Sequence, residues 1–219
     1  MIKRLYLGYL IIISIFFQSC ENGTTPNNNI QLIPTQIGNY WVYVDSIFYR
    51  SPTPEVDTAI GKITNTKMVN INNSSYKVYT QAAYNNKNVE IEKIFISNDN
   101  DGLYVFGSDS DTNNLIYRHI LLQYPTKVNN NWTCVYYYFN NTASKFFKDT
   151  SNAKCVSLNE SYTTKAGTFL CVKYHYQIGS LIESYEYYAP DIGMIAHIDL
   201  FDGVVIFKRE LIRFNLEKN

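Results

Sequence analysis

The chain has 219 residues, and its 19 lysines and arginines balance 19 aspartates and glutamates. A net charge of zero, with no basic stripe, argues against nucleic acid as a partner, because phosphate binding needs clustered Lys and Arg. The 20 tyrosines and 12 phenylalanines favour strands, and the many Asn clusters favour turns.

In chain order, residues 1–19 read as an export signal. Lys3 and Arg4 precede an apolar run from Leu5 to Phe17, broken by Gly8 and Ser14. That run suits a signal-peptide core and falls short of the roughly 20 residues a membrane-spanning helix needs. Ser19 and Cys20 follow. The order of charge, apolar core, small residue and cysteine resembles the signal and lipobox of bacterial lipoproteins. With Phe17 and Gln18 before it, the box resembles the relaxed ones of Bacteroidota-type lipoproteins. The resemblance implies cleavage before Cys20, acyl chains of the palmitate kind on that residue, and a mature protein held at the membrane. Each buried methylene stabilises by about 0.8 kcal/mol, so several chains hold far more firmly than one. Glu21 and Asn22 supply no aspartate after the cysteine, which favours the outer membrane. The alternative is an ordinary secretory signal that leaves Cys20 as a chance residue. Residues 20–30 lack a core-forming pattern and read as a flexible tether.

From residue 31 to 216 the helical period is nearly absent. Period-two segments bounded by Asn, Asp, Gly or Ser predict strands near 40–50, 59–70, 75–84, 88–97, 102–107, 115–124, 132–139, 153–159, 168–178, 181–189, 193–200 and 204–214. Short connections make them antiparallel. The segment 143–149 reads as a short helix or a loop. Pro34, Thr35, Asn39, Trp41 and Gly102 recur as Pro125, Thr126, Asn130, Trp132 and Gly193, all displaced by 91 residues. The spacing predicts two tandem units, about 33–107 and 124–200, with 204–214 as a closing strand. In each unit a proline halts one strand and a tryptophan seats the next on the core. The fold class expected is mostly β, a curved antiparallel sheet or half-barrel made from two repeats, with little helix.

Lys165-Ala166-Gly167-Thr168-Phe169 and Tyr187-Tyr188-Ala189-Pro190-Asp191-Ile192-Gly193-Met194-Ile195 carry a likeness to known families. They resemble a pattern of uncharacterised bacterial lipoproteins, in which Pro-x-x-x-Gly-x-x-Trp opens a unit, Ala-Gly-Thr-Phe begins a strand and Tyr-Tyr-Ala-Pro closes a hairpin. The chain is also similar to the domain of unknown function numbered 3108, whose fold is like that of the lipoprotein carrier LolA. That likeness implies a curved antiparallel sheet and, by analogy, a carrier of a lipid or another hydrophobic ligand.

Chemistry-bearing residues are sparse. Cys155 and Cys171 flank a turn centred near Thr163, where a hairpin would set them opposite each other as a disulfide or leave them as free thiols; Cys134 stays unpaired. No Cys-x-x-Cys spacing exists, so no metal is expected. His119, His175 and His197 sit in strand patterns outside any hydrolase motif. Acidic turns at 98–102 and 109–111 miss the EF-hand register and read as turn formers. Glu90, Glu92, Glu183 and Glu186 fit a solvated sheet face better than a glycosidase pair. Tyr136, Tyr138, Tyr185 and Tyr187 are candidate ligand-stacking aromatics, because consecutive tyrosines in a strand point to both faces. Asp57-Thr58-Ala59 matches a three-residue O-glycosylation pattern, which needs an accessible loop at Thr58.

Together these residues predict a lipid-anchored envelope lipoprotein with a non-enzymatic binding or structural role. No cofactor is expected. The membrane would be engaged through the N-terminal lipid, and a glycan, a lipid or an envelope protein is the expected partner. A LolA-like carrier is the alternative, and a hydrolase the third reading.

Overall fold

The computed structural model describes residues 31–48, 53–108, 117–140 and 145–217, with the backbone alone at 108, 136–140 and 145–148. The signal segment, Cys20 and the tether lie outside the described residues. Among the described residues all regular structure is strand: β1 (Tyr40–Ile47), β2 (Glu55–Ile71), β3 (Ser74–Tyr84), β4 (Glu90–Asp99), β5 (Gly102–Ser108), β6 (His119–Gln123), β7 (Asn131–Asn140), β8 (Lys145–Thr164), β9 (Gly167–Ile178), β10 (Ile182–Ala189), β11 (Gly193–Phe201) and β12 (Val204–Asn215). Each predicted strand is present. The 143–149 expectation is corrected, since Lys145 onward is the start of β8.

The 12 strands form one antiparallel sheet in the order β6-β5-β4-β3-β2-β1-β12-β11-β10-β9-β8-β7. Each half of the chain is a six-strand meander, and the halves join where β1 pairs with β12 from Tyr40 opposite Asn215 to Ile47 opposite Phe207. The sheet curls until its edge strands, β6 and β7, lie close without pairing, so the barrel is nearly closed. β1 begins 91 residues before β7, and β5 begins 91 before β11.

Asparagine supplies the tight turns. Asn72 and Asn73 both take positive φ (48° and 64°) between β2 and β3, the conformation a two-residue hairpin requires. Alternation then fixes the faces, because cross-strand partners point the same way. Trp41 and Tyr43 of β1 face inward with Gly61 and Ala59 of β2. Ile96, Leu103, Trp132, Tyr174, Tyr176 and Leu211 meet them in the main core.

Trp41 seats the two halves on each other. Its indole Nε1 donates to the Ile192 carbonyl at 2.6 Å. Gly193 takes φ +113° beside it, where a Cβ would sit 3.0 Å from that nitrogen. Burying one tryptophan removes roughly 200 Å² from water, worth about 5 kcal/mol before ordering costs. Trp132 bridges a different junction, donating to the Leu121 carbonyl of β6 at 3.2 Å.

The long hairpins bend out of the sheet. β8 breaks register between Cys155 and Ser157 and again before Glu160. Beyond those bulges the β8–β9 tip folds onto the outside of β10–β12. Tyr162 packs on Tyr187 at 4.5 Å between ring centres and donates to Glu210, and Phe169 meets Phe214. In the other half, Val69 and Val78 of β2–β3 cluster with Phe95, Tyr104 and Phe106 on the outer face.

The Cys155–Cys171 expectation fails on register. The turn lies at Lys165-Ala166, later than the centre near Thr163 assumed from sequence, and the bulges shift the ladder further. Cys155 therefore faces Tyr174 and Cys171 faces Glu160. Cys134, Cys155 and Cys171 are free and buried. Burial pushes the Cys171 and Cys134 thiols up to about 12, which suppresses thiolate chemistry.

Candidate functional site

The interior contains a cavity of about 190 Å³ at the junction of the two halves. Ile33, Trp41, Ala59, Ile94, Ile96 and Leu103 form an apolar floor, and Tyr188 and Met194 of the second half add to its wall. Gln81, Glu92 and Arg209 make the polar part. Glu92 is the one solvent-exposed lining residue, so it marks the mouth.

Register places each charged group. Asp45 lies two residues beyond Tyr43 on the same face of β1 and opposite Arg209 of β12. The Arg209 guanidinium donates to both Asp45 oxygens, from Nε and Nη2, at 2.7 Å each. Burial would lower the guanidinium pKa, but Asp45 more than offsets it, so Arg209 stays charged. Tyr43 donates to the Met194 carbonyl at 3.3 Å, and burial raises its hydroxyl pKa.

Beside Arg209, His197 of β11 is clamped by two carboxylates. Nδ1 stands 3.1 Å from Glu186 and Nε2 stands 2.8 Å from Asp199. Burial alone would lower the imidazole pKa; the Asp199 and Glu186 hydrogen bonds and charges reverse it and hold the ring protonated, with a pKa of about 10. Burial tends to raise Asp199, and His197 overrides that to keep it low. Ser184 donates to Asp199 rather than to His197. A serine, a histidine and an aspartate thus meet, but with both imidazole nitrogens committed to anions. A general base needs a free lone pair aimed at its nucleophile, and this arrangement does not present one.

Of the carboxylates assigned to a solvated face, Glu90 and Glu183 do lie outside, paired with Lys93 and His175. Glu92 and Glu186 instead turn inward. Alternation explains both: Glu186 shares the inner face of β10 with Ser184 and Tyr188, three residues from outward Glu183, and Glu92 shares that of β4 with Ile94 and Ile96, while the register slip between Ala83 and Tyr84 separates it from Glu90. The sequence shows Asp45 only as part of Asp45-Ser46-Ile47, a second match to the O-glycosylation pattern, and does not show its pairing with Arg209. The available signal was a charge interrupting an apolar alternation, as in Trp41-x-Tyr43-x-Asp45 and Phe207-x-Arg209-x-Leu211.

The candidate aromatics separate. Tyr187 is corrected: it is buried beneath Tyr162 and offers no free ring face. Tyr185 is half-buried on the outer face, stacked on His175 at 4.7 Å and 22°. Tyr136 and Tyr138 stand on β7, their side chains outside the described residues. Thr58 is half-buried within β2, opposite Val44, rather than in the accessible loop that glycosylation was expected to need.

No family model matches the chain, and no curated protein matches its sequence. Two solved structures resemble it. One is a candidate exported protein of Bacteroides fragilis with a YmcC-like fold, 12% identical, with a TM-score of 0.53 over 85% of this chain and 100% of its own. The other is a candidate lipoprotein of Parabacteroides distasonis, 14% identical, with a TM-score of 0.54 over 85% of this chain and 99% of its own. At these identities the likeness is one of fold.

Proposed function

We propose that this chain is an exported envelope lipoprotein, anchored through lipid on Cys20 at the outer membrane, with a non-enzymatic role of holding a small ligand inside its sheet. The interior cavity carries this reading. It combines an apolar floor with a few polar groups near one mouth, the usual pattern of a small-molecule site. The commitment of His197 to two anions supports binding rather than catalysis. The signal-and-lipobox pattern supports the anchor, and the similarity in fold to a candidate lipoprotein is in keeping with it.

The test of the anchor is intact-mass analysis of the full chain extracted from envelopes. The expected result is a mature N-terminus at Cys20 carrying acyl mass, with Cys20→Ser losing that mass and sedimentation with vesicles. A wild-type protein that carries no acyl mass, or a Cys20→Ser variant that still sediments and carries it, would contradict the proposal.

A lipid carrier is the second reading, favoured by the seam. β6 is joined to the second half by side-chain donors rather than by a ladder: Trp132 and Cys134 of β7 and Tyr176 of β9 all point to the Leu121 carbonyl, and Tyr174 of β9 to that of Gln123. Such a joint could part to admit a longer chain. At about 190 Å³ the cavity lies below the ~300–1,000 Å³ of typical ligand pockets, so the closed state fits a small molecule better than an acyl chain.

A further inference from the structure

We infer that the ligand of the interior pocket is a small organic amine, its ammonium group at Glu92 and a ring-sized apolar body on the floor below. This inference rests on the binding role proposed for the pocket and names the chemistry of its occupant.

Size sets the first limit. A dry apolar cavity of about 150 Å³ takes up benzene. About 190 Å³ therefore holds one ring and a short chain. The Trp41 and Tyr43 side chains and the aliphatic groups of Ile94, Ile96 and Leu103 give such a body apolar neighbours.

Charge sets the second. Alternation turns Asp45, Asp57, Glu92, Glu186 and Asp199 inward against Arg209 and His197, and of these Glu92 and Arg209 line the cavity itself. Both cations are already spent, Arg209 on Asp45 in a two-point contact and His197 between Glu186 and Asp199. Among the described residues Asp57 receives only neutral donors, the Thr58 amide and the Asn86 side chain. Glu186 Oε2 is buried with no hydrogen-bond partner among the described residues. Glu92 has neither a hydrogen bond nor an ion pair among the described residues; its charge faces Arg209, whose own partner is Asp45. The lumen thus has an anionic surplus, and a low-dielectric wall concentrates its field at the mouth. A carboxylate ligand would meet this surplus, with Arg209 shielded by Asp45. A divalent ion fits poorly: among the described residues no group of three His, Cys, Asp or Glu is arranged to hold one, and the His197–Glu186–Asp199 trio is closed by its own hydrogen bonds. A monocation with an apolar body satisfies both limits.

The test uses three probes of one shape and different charge: 2-phenylethylamine, 2-phenylethanol and phenylacetate, titrated calorimetrically into the mature protein at pH 7. The expected order is amine, then alcohol, then acid, with the amine at least tenfold tighter than the acid. Glu92→Gln is expected to weaken the amine about tenfold, to the level of the alcohol, while leaving the alcohol unchanged. Ala59→Leu, which fills the floor, is expected to abolish binding of all three. If that variant fails to fold, Gly61→Ala serves, because its added Cβ meets only ordinary contacts at 3.7–4.0 Å and narrows the same wall. Equal affinity for the three probes, or preference for the acid, would overturn the amine and leave the pocket reading intact. No binding of any probe, with no small molecule carried by the native protein, would overturn both.

Discussion

Gly102 and Gly193 stand at equivalent places in the two halves, and both take positive φ (154° and 113°), but their surroundings differ. A Cβ on Gly193 would press on the Trp41 indole at 3.0 Å, a neighbour that can shift slightly. A Cβ on Gly102 would lie 2.0 Å from the Leu122 backbone oxygen, which cannot move without breaking the β5–β6 pairing. Gly193→Ala is therefore expected to cost about 2 kcal/mol in urea melts, and Gly102→Ala more than about 3 kcal/mol. Equal costs would contradict the packing described. Histidines set the pH response. The raised pKa of His197, about 10, gives stability that is complete below the unfolded value near 6.5 and is lost as pH rises towards 10. His119 acts in the opposite direction. Burial lowers it to about 4, so the folded state resists protonation there and stability is lost as pH falls from about 6.5 to 4. Each group contributes a slope of about 1.4 kcal/mol per pH unit inside its window, so stability should peak near pH 6.5. His197→Gln should flatten the alkaline side alone, as read by urea melts across pH.

Among the elements, β6 is the weakest. It has five residues, a backbone ladder on one side and side-chain donors on the other. Tyr174→Phe removes the 2.9 Å bond to the Gln123 carbonyl and should cost about 1 kcal/mol. Its sharper consequence is local: amides of β6 should exchange faster while those of β1 and β12 are unchanged, since the latter pair along their whole length. Faster exchange spread evenly over the sheet would argue against a distinct seam. The elements were largely legible in the sequence, because Asn and Gly mark the turns and alternation marks the strands. The hairpin arms were not. The bulges in β8 carry no glycine or proline, and their effect, which hides Tyr187 under Tyr162 and separates Cys155 from Cys171, comes from packing that only the folded sheet supplies.

At the scale of the whole molecule, two six-strand meanders share one sheet because neither can bury its inner face alone. The pocket arises at their junction, with floor residues from β1, β2, β4 and β5 and wall residues from β10, β11 and β12. That origin explains why the pocket was hidden in the sequence. Apart from Ile33, the lining residues belong to strand patterns that read as ordinary core, and Glu92 reads as solvated, until curvature brings strands from both ends of the chain together. The core itself was predictable from Trp41, Trp132 and the period-two apolar positions. The most direct measurement is native mass spectrometry of the full protein released gently from envelopes. The expected result is a small non-covalent mass that is lost on denaturation and absent from Ala59→Leu. A wild-type protein that flies at its covalent mass alone, or an adduct retained by a folded Ala59→Leu, would contradict it.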